Sequence, residues 1–103
     1  MRWVEIVNVR VAATTAPSTL EGLFGDIRRN ITSGAEGVVR LVIYRGSLVD
    51  SDWAIHIHRE TAEVPMGRTA LGLELADVVR PVGLVDHSIW IEAEGSEVDE
   101  RTS

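Results

Sequence analysis

The sequence predicts an α+β domain: a four-stranded antiparallel sheet with two helices packed on one of its faces. Three observations lead there. Four stretches rich in valine and isoleucine are each long enough for a strand, and two others repeat apolar residues at helical spacing. Their order along the chain is β-α-β-β-α-β. A length of 103 residues suits one domain, with residues 1–94 forming it and the acidic stretch 95–103 expected as a disordered tail.

The first strand is "WVEIVNVRVAA" (3–13). Strand alternation divides it into Trp3, Glu5, Val7, Val9, Val11 on one face and Val4, Ile6, Asn8, Arg10, Ala12 on the other. Both faces carry apolar residues, which is the pattern of a strand covered on both sides. The first helix is "APSTLEGLFGDIRRNITSG", where Leu20, Leu23, Phe24, Ile27 and Ile31 form a single apolar stripe. Ser18 and Glu21 read as a capping box after Pro17, Arg28 and Arg29 suit the negative C-terminal end, and Gly34 supplies the stop.

"GVVRLVIYRG" (37–46) and "WAIHIHRE" (53–60) are strands two and three, joined by the polar link "SLVDSD" in the manner of an antiparallel hairpin. "PMGRTALGLELADVVRPVG" (65–83) reads as the second helix, with Leu71, Leu75, Val78, Val79 and Val82 on its buried side. Gly72 weakens it, and Pro81 ends or distorts it. "DHSIWIEA" (86–93) is the fourth strand.

Right-handed crossovers then give the strand order 4-1-3-2, the ferredoxin-like or split-βαβ arrangement, with both helices on one face. The other face would be bare. Because the strands are apolar on both sides, a second copy of the sheet is the expected cover, and the chain is expected to be a homodimer.

Composition narrows the function classes. There is no cysteine, so disulfides, thiolate metal sites and thiol nucleophiles are excluded. All ten basic residues are arginine, so lysine Schiff-base chemistry is excluded as well. The net charge of −6 argues against a nucleic-acid partner, which needs a basic surface. No apolar run is long enough for a membrane span and no signal peptide is visible, so no membrane partner is expected and the reading is cytoplasmic.

The strand pattern "WVEIVNVRVA…VVRLVIYRG…WAIHIHRE…HSIWIEA", with the element order and lengths of residues 3 to 93, resembles the dimeric α/β-barrel proteins. Within them it is similar to the antibiotic-biosynthesis-monooxygenase-like group. The resemblance implies a homodimer whose two sheets close a barrel, with pockets between sheet and helices. It also implies a small-molecule ligand and, in the catalytic members, oxygenation of phenolic or quinol-like aromatics without metal or flavin. Asn8 stands where such oxygenases often carry an asparagine on the first strand. Haem-degrading relatives use a histidine from the second-helix region, and "MGRTALGLELADVV" contains none.

The candidate site follows from adjacency of strands one and three. His56 and His58 share one face of the third strand, and Asn8 and Arg10 share one face of the first. Aligned, the four polar side chains meet near the sheet centre, joined by Arg40 or Tyr44 from the second strand. In that arrangement His56 or His58 is the candidate base, Arg10 the charge partner, and Asn8, Arg40 and Tyr44 the substrate-binding groups. Two other readings stand beside it. The histidines line a dimer interface and do no chemistry, or His-x-His binds a metal with His87 or Glu63 as third ligand. "HIHRETAE" superficially resembles the first motif of cupin metal sites, but the second is missing and the helix at 18–32 does not fit an all-β barrel, so no metal is expected. That no cofactor is expected is what the monooxygenase resemblance implies. The alternative to an oxygenase is a non-catalytic ligand-binding or structural dimer module.

Overall fold

The computed structural model describes residues 1–31 and 37–96. The elements are β1 (Arg2–Val11), α1 (Pro17–Ile31), β2 (Val38–Arg45), β3 (Asp52–Glu60), α2 (Ala70–Val79) and β4 (Gly83–Ile91), with one 3-10 turn, Arg80–Val82, ahead of β4. All neighbouring strands are antiparallel, in the order β2-β3-β1-β4. Read from the other edge this is 4-1-3-2, the order expected from the connections.

β1 lies between β3 and β4, pairing along its whole length with both. Trp3, Glu5, Val7, Val9 and Val11 are buried on its inner face. Ile55 and Ile57 of β3 point the same way, and Phe24 and Ile27 of α1 with Leu75, Ala76 and Val79 of α2 close over them. Every strand residue of this core comes from one face, so both helices lie on the same side of the sheet.

The other face is bare among the described residues, as the placement of both helices on one side implies. Val4 and Ile6 are half-buried there, and Asn8 and Arg10 are exposed. None of the described residues is stacked on it.

Three local expectations shift, each for a physical reason. Pro17 opens α1, with the Ala16 carbonyl accepting from the Thr19 and Leu20 amides. Proline suits a first helical position, so Ser18 falls inside the first turn and not at the cap. α2 is shorter than the 65–83 stretch because Thr69 caps it, its side chain accepting from the Gly72 amide. Its far end tightens into the 3-10 turn at Pro81, which leaves Val78 partly exposed and delivers the chain into β4 at Gly83, three residues before the expected start. The stop at Gly34 and most of the acidic tail, residues 97–103, lie outside the described residues.

Phe24 is buried and its ring packs 4.7 Å from that of Trp53, while Leu23 is only half-buried. Phe24→Ala is expected to lower the unfolding free energy by about 3–5 kcal/mol in urea titration, and Leu23→Ala by clearly less. A loss at Phe24 below about 1 kcal/mol would contradict this core.

Candidate functional site

The register places the predicted site residues in rows across the uncovered face. Arg40, His58, Val4 and Trp90 form one row, and Val42, His56, Ile6 and Ser88 the next. Tyr44, Ala54, Asn8 and Asp86 form a third, beyond which Asp52, Arg10 and Leu84 align. His56, His58, Asn8, Arg10, Arg40 and Tyr44 therefore all point to this face.

They do not all meet. Ile6 stands opposite His56 and Val4 opposite His58, so the histidines face aliphatic side chains, not Asn8 and Arg10. Arg10 lies four residues along β1 from the His56 row, roughly 13 Å away. Its guanidinium is already engaged, donating to Asp52 through Nε at 2.8 Å and through a terminal nitrogen at 3.3 Å. That hydrogen bond holds the Asp52 carboxyl below its ordinary range. The two histidines instead have Tyr44 beside His56 and Arg40 beside His58. The Tyr44 ring meets His56 edge-on at 4.7 Å, the two imidazoles are 6.1 Å apart, and Arg40 is next to His58 across the strands.

Partial burial, followed by repulsion from His58, lowers the His56 pKa below its ordinary value of 6.5. The neutral imidazole, which accepts a proton, is therefore the favoured form at neutral pH. His58 Nε2 is buried and has no hydrogen-bond partner among the described residues. A buried polar atom of this kind is ordinarily satisfied by water or by a group of a second molecule.

His87, a candidate third metal ligand, lies on the helix-covered face, opposite Val7. It cannot join His56 and His58, and Glu63 is exposed beyond the end of β3.

His87 belongs instead to a second polar group that the pattern reading missed. Glu5 is fully buried in β1, and His87 Nε2 lies 2.6 Å from its Oε2. Thr69 donates its hydroxyl to Oε1 at 2.6 Å and its amide to Oε2 at 3.3 Å. Arg59 of β3, itself buried and stacked over the Trp3 ring, donates to Oε1 at 3.3 Å and to the Thr69 hydroxyl at 3.1 Å. One carboxylate thus holds β3, β4 and the start of α2 to the central strand. Gly72 makes this approach possible, because a Cβ there would overlap the Glu5 carboxylate and sit 2.6 Å from His87 Nε2. The signal was available in the sequence: a glutamate on the same face as Trp3, Val7 and Val9 must have partners if that face is buried.

Two depressions open on the uncovered face. One, of about 490 Å3, is lined by Asn8, Tyr44, Ala54 and Leu84 among others, and one of about 600 Å3 by Val4, Arg40, His58 and Trp90. On the helix side the centre is filled by Val7, Ile55, Ile57 and Leu75, all fully buried. None of the known protein-family models matches the chain, and a search of curated proteins finds no match.

Glu5→Ala should destabilise the fold by about 3–5 kcal/mol, since it leaves Arg59 and His87 buried without their carboxylate. Urea midpoints at pH 7 would check this. His56 generates a separate pH effect. Its folded pKa is lowered, so the unfolded chain binds more protons once the pH drops below about 6.5. The His56 contribution to stability is therefore intact above that pH and declines as the pH falls through the folded value. Comparing urea midpoints at pH 7.5 and 5.5, His56→Gln should lose less on acidification than wild type.

Proposed function

We propose that the chain is a homodimer of the ferredoxin-like, dimeric α/β-barrel type, closed through the uncovered sheet face, and that this face binds a small, flat, phenolic or quinol-like molecule. The buried, unpartnered His58 Nε2 carries the reading, since it lies on the uncovered face in one row with the aliphatic Val4 and the aromatic Trp90. Trp90 and Leu84 are 61% and 78% exposed there, and Tyr44 44%. Exposed apolar surface of this extent favours a cover, and aromatic side chains are the usual anchors of one.

The face spans four strands of about eight residues, or roughly 19 by 26 Å. Two copies would bury about 1,000 Å2 in projection, the lower end of what specific interfaces need. The two depressions then become enclosed spaces between the sheets. His56, favoured in its neutral form, is the group able to accept a phenolic proton, with the Tyr44 ring edge-on against it. In its catalytic form the site would be a cofactor-independent monooxygenase with dioxygen as co-substrate.

A non-catalytic binding module is the second reading, favoured by the Arg10–Asp52 ion pair, which removes the expected charge partner from the histidines. Oxygen uptake with a panel of quinols separates the two: turnover lost in His56→Ala supports catalysis, while binding without uptake supports the module.

Light scattering at micromolar concentration should give a dimer mass, and Ile6→Arg, placed at the centre of the face, should give a folded monomer. A wild-type monomer would overturn the reading.

A further inference from the structure

Arg40 and Asp86 are both exposed on the uncovered face, and neither makes an ion pair with any described residue. Arg40 lies on β2 at one edge of the sheet, in the row of Val4, and Asp86 on β4 at the other edge, in the row of Asn8. They are separated by three strand spacings across the sheet and four residues along it, about 14 Å by 13 Å. The two opposite charges thus occupy the ends of one diagonal of a nearly square patch. Tyr44 and Trp90 occupy the ends of the other.

We propose that this charge diagonal sets how two copies meet: Arg40 of each copy pairs with Asp86 of the other, and the sheets cross at nearly a right angle. The inference rests on the homodimer reading above and adds its orientation. Two identical faces in contact are related by a twofold axis lying in the plane between them. Each position on one copy then meets its reflection across that axis on the other.

For an axis through the centre of the patch, four orientations can be compared. An axis along the strands, or one across them, sets Arg40 and Asp86 against the aromatic corners, where a cation–π contact or one hydroxyl hydrogen bond is available but each charge is covered without a counter-charge. An axis along the Arg40–Asp86 diagonal sets each charge against its own copy, which is repulsive. The axis along the Tyr44–Trp90 diagonal alone brings Arg40 onto the partner's Asp86, twice by symmetry. Charges covered without a counter-charge and like charges in contact both oppose association, so this last orientation wins. It runs at about 45° to the strands, so it turns one sheet by about 90° relative to the other, a recognised mode of sheet packing. It also sets Trp90 and Tyr44 each beside its own copy on the axis, where self-contact of an aromatic ring is favourable.

The test uses two full-length variants, Arg40→Asp and Asp86→Arg. Each alone should dimerise at least about tenfold more weakly than wild type in sedimentation equilibrium, because each homodimer then contains two like-charge contacts. An equimolar mixture of the two should recover close to wild-type affinity: its heterodimer has one native contact and one with both charges reversed. Recovery in the mixture also shows that both variants fold. Single variants that dimerise as wild type does, or a mixture that fails to recover, would overturn the pairing while leaving the homodimer in place. A wild-type monomer would remove the homodimer reading and this pairing together.

Discussion

A carboxylate taken out of water in the middle of the central strand is the constraint around which the fold is arranged. Glu5 has no exposed surface, and an unpaired charge in that position would cost several kcal/mol. Its partners are drawn from β3, β4 and the loop leading into α2, so satisfying one residue requires three other segments to be in place. The position of α2 follows. Thr69 serves both as the helix cap and as a donor to Glu5, and Gly72 lets the first turn lie against the carboxylate. The same helix then brings Leu75, Ala76 and Val79 onto the sheet, where they meet Ile55 and Ile57.

That arrangement separates the two faces of the sheet by chemistry as well as by cover. The inner face carries the helix-covered core, and Glu5, Arg59, Thr69 and His87 are linked there in one network. The outer face keeps histidines, aromatics and unpaired charges accessible. A strand such as β1 can serve both because its side chains alternate, so Val7 and Val9 build the core while Val4 and Ile6 offer apolar surface outward. The proposed ligand site and the proposed contact between copies both draw on the outer set. The inner network contributes to them only by holding the strands in register.

Much of the architecture was legible in the sequence, because strand alternation and helix stripes are local signals. The antiparallel sheet, the common face of His56 and His58, and the end of α2 just ahead of Pro81 all follow from spacing and residue type. Cross-strand pairing was less legible. That His56 would stand opposite Ile6, and Arg10 opposite Asp52, depends on where β3 begins relative to β1, and a shift of two residues preserves every face while changing every neighbour. The Glu5 network was missed for a different reason. Its members lie at positions 5, 59, 69 and 87, each unremarkable in its own segment, and only the folded topology shows that they converge. The odd placement of Glu5 on a buried face was the one local trace of it.

The spread of those positions bears on the order in which the chain can fold. β1 forms its sheet pairings with β3 and β4 alone, and the contact from Glu5 to His87 closes a loop of 82 residues. During synthesis β1 therefore completes both of its pairings only once β4 has been made. Until β4 leaves the ribosome, the hairpin of β2 and β3 is the longest stretch of sheet that can form from neighbouring segments, and the glutamate lacks its histidine partner. Contacts of such long range slow folding, because the entropy of closing the chain is lost before the contacts form. Closing the sheet with β4 is thus the pairing that brings His87 onto the central charge.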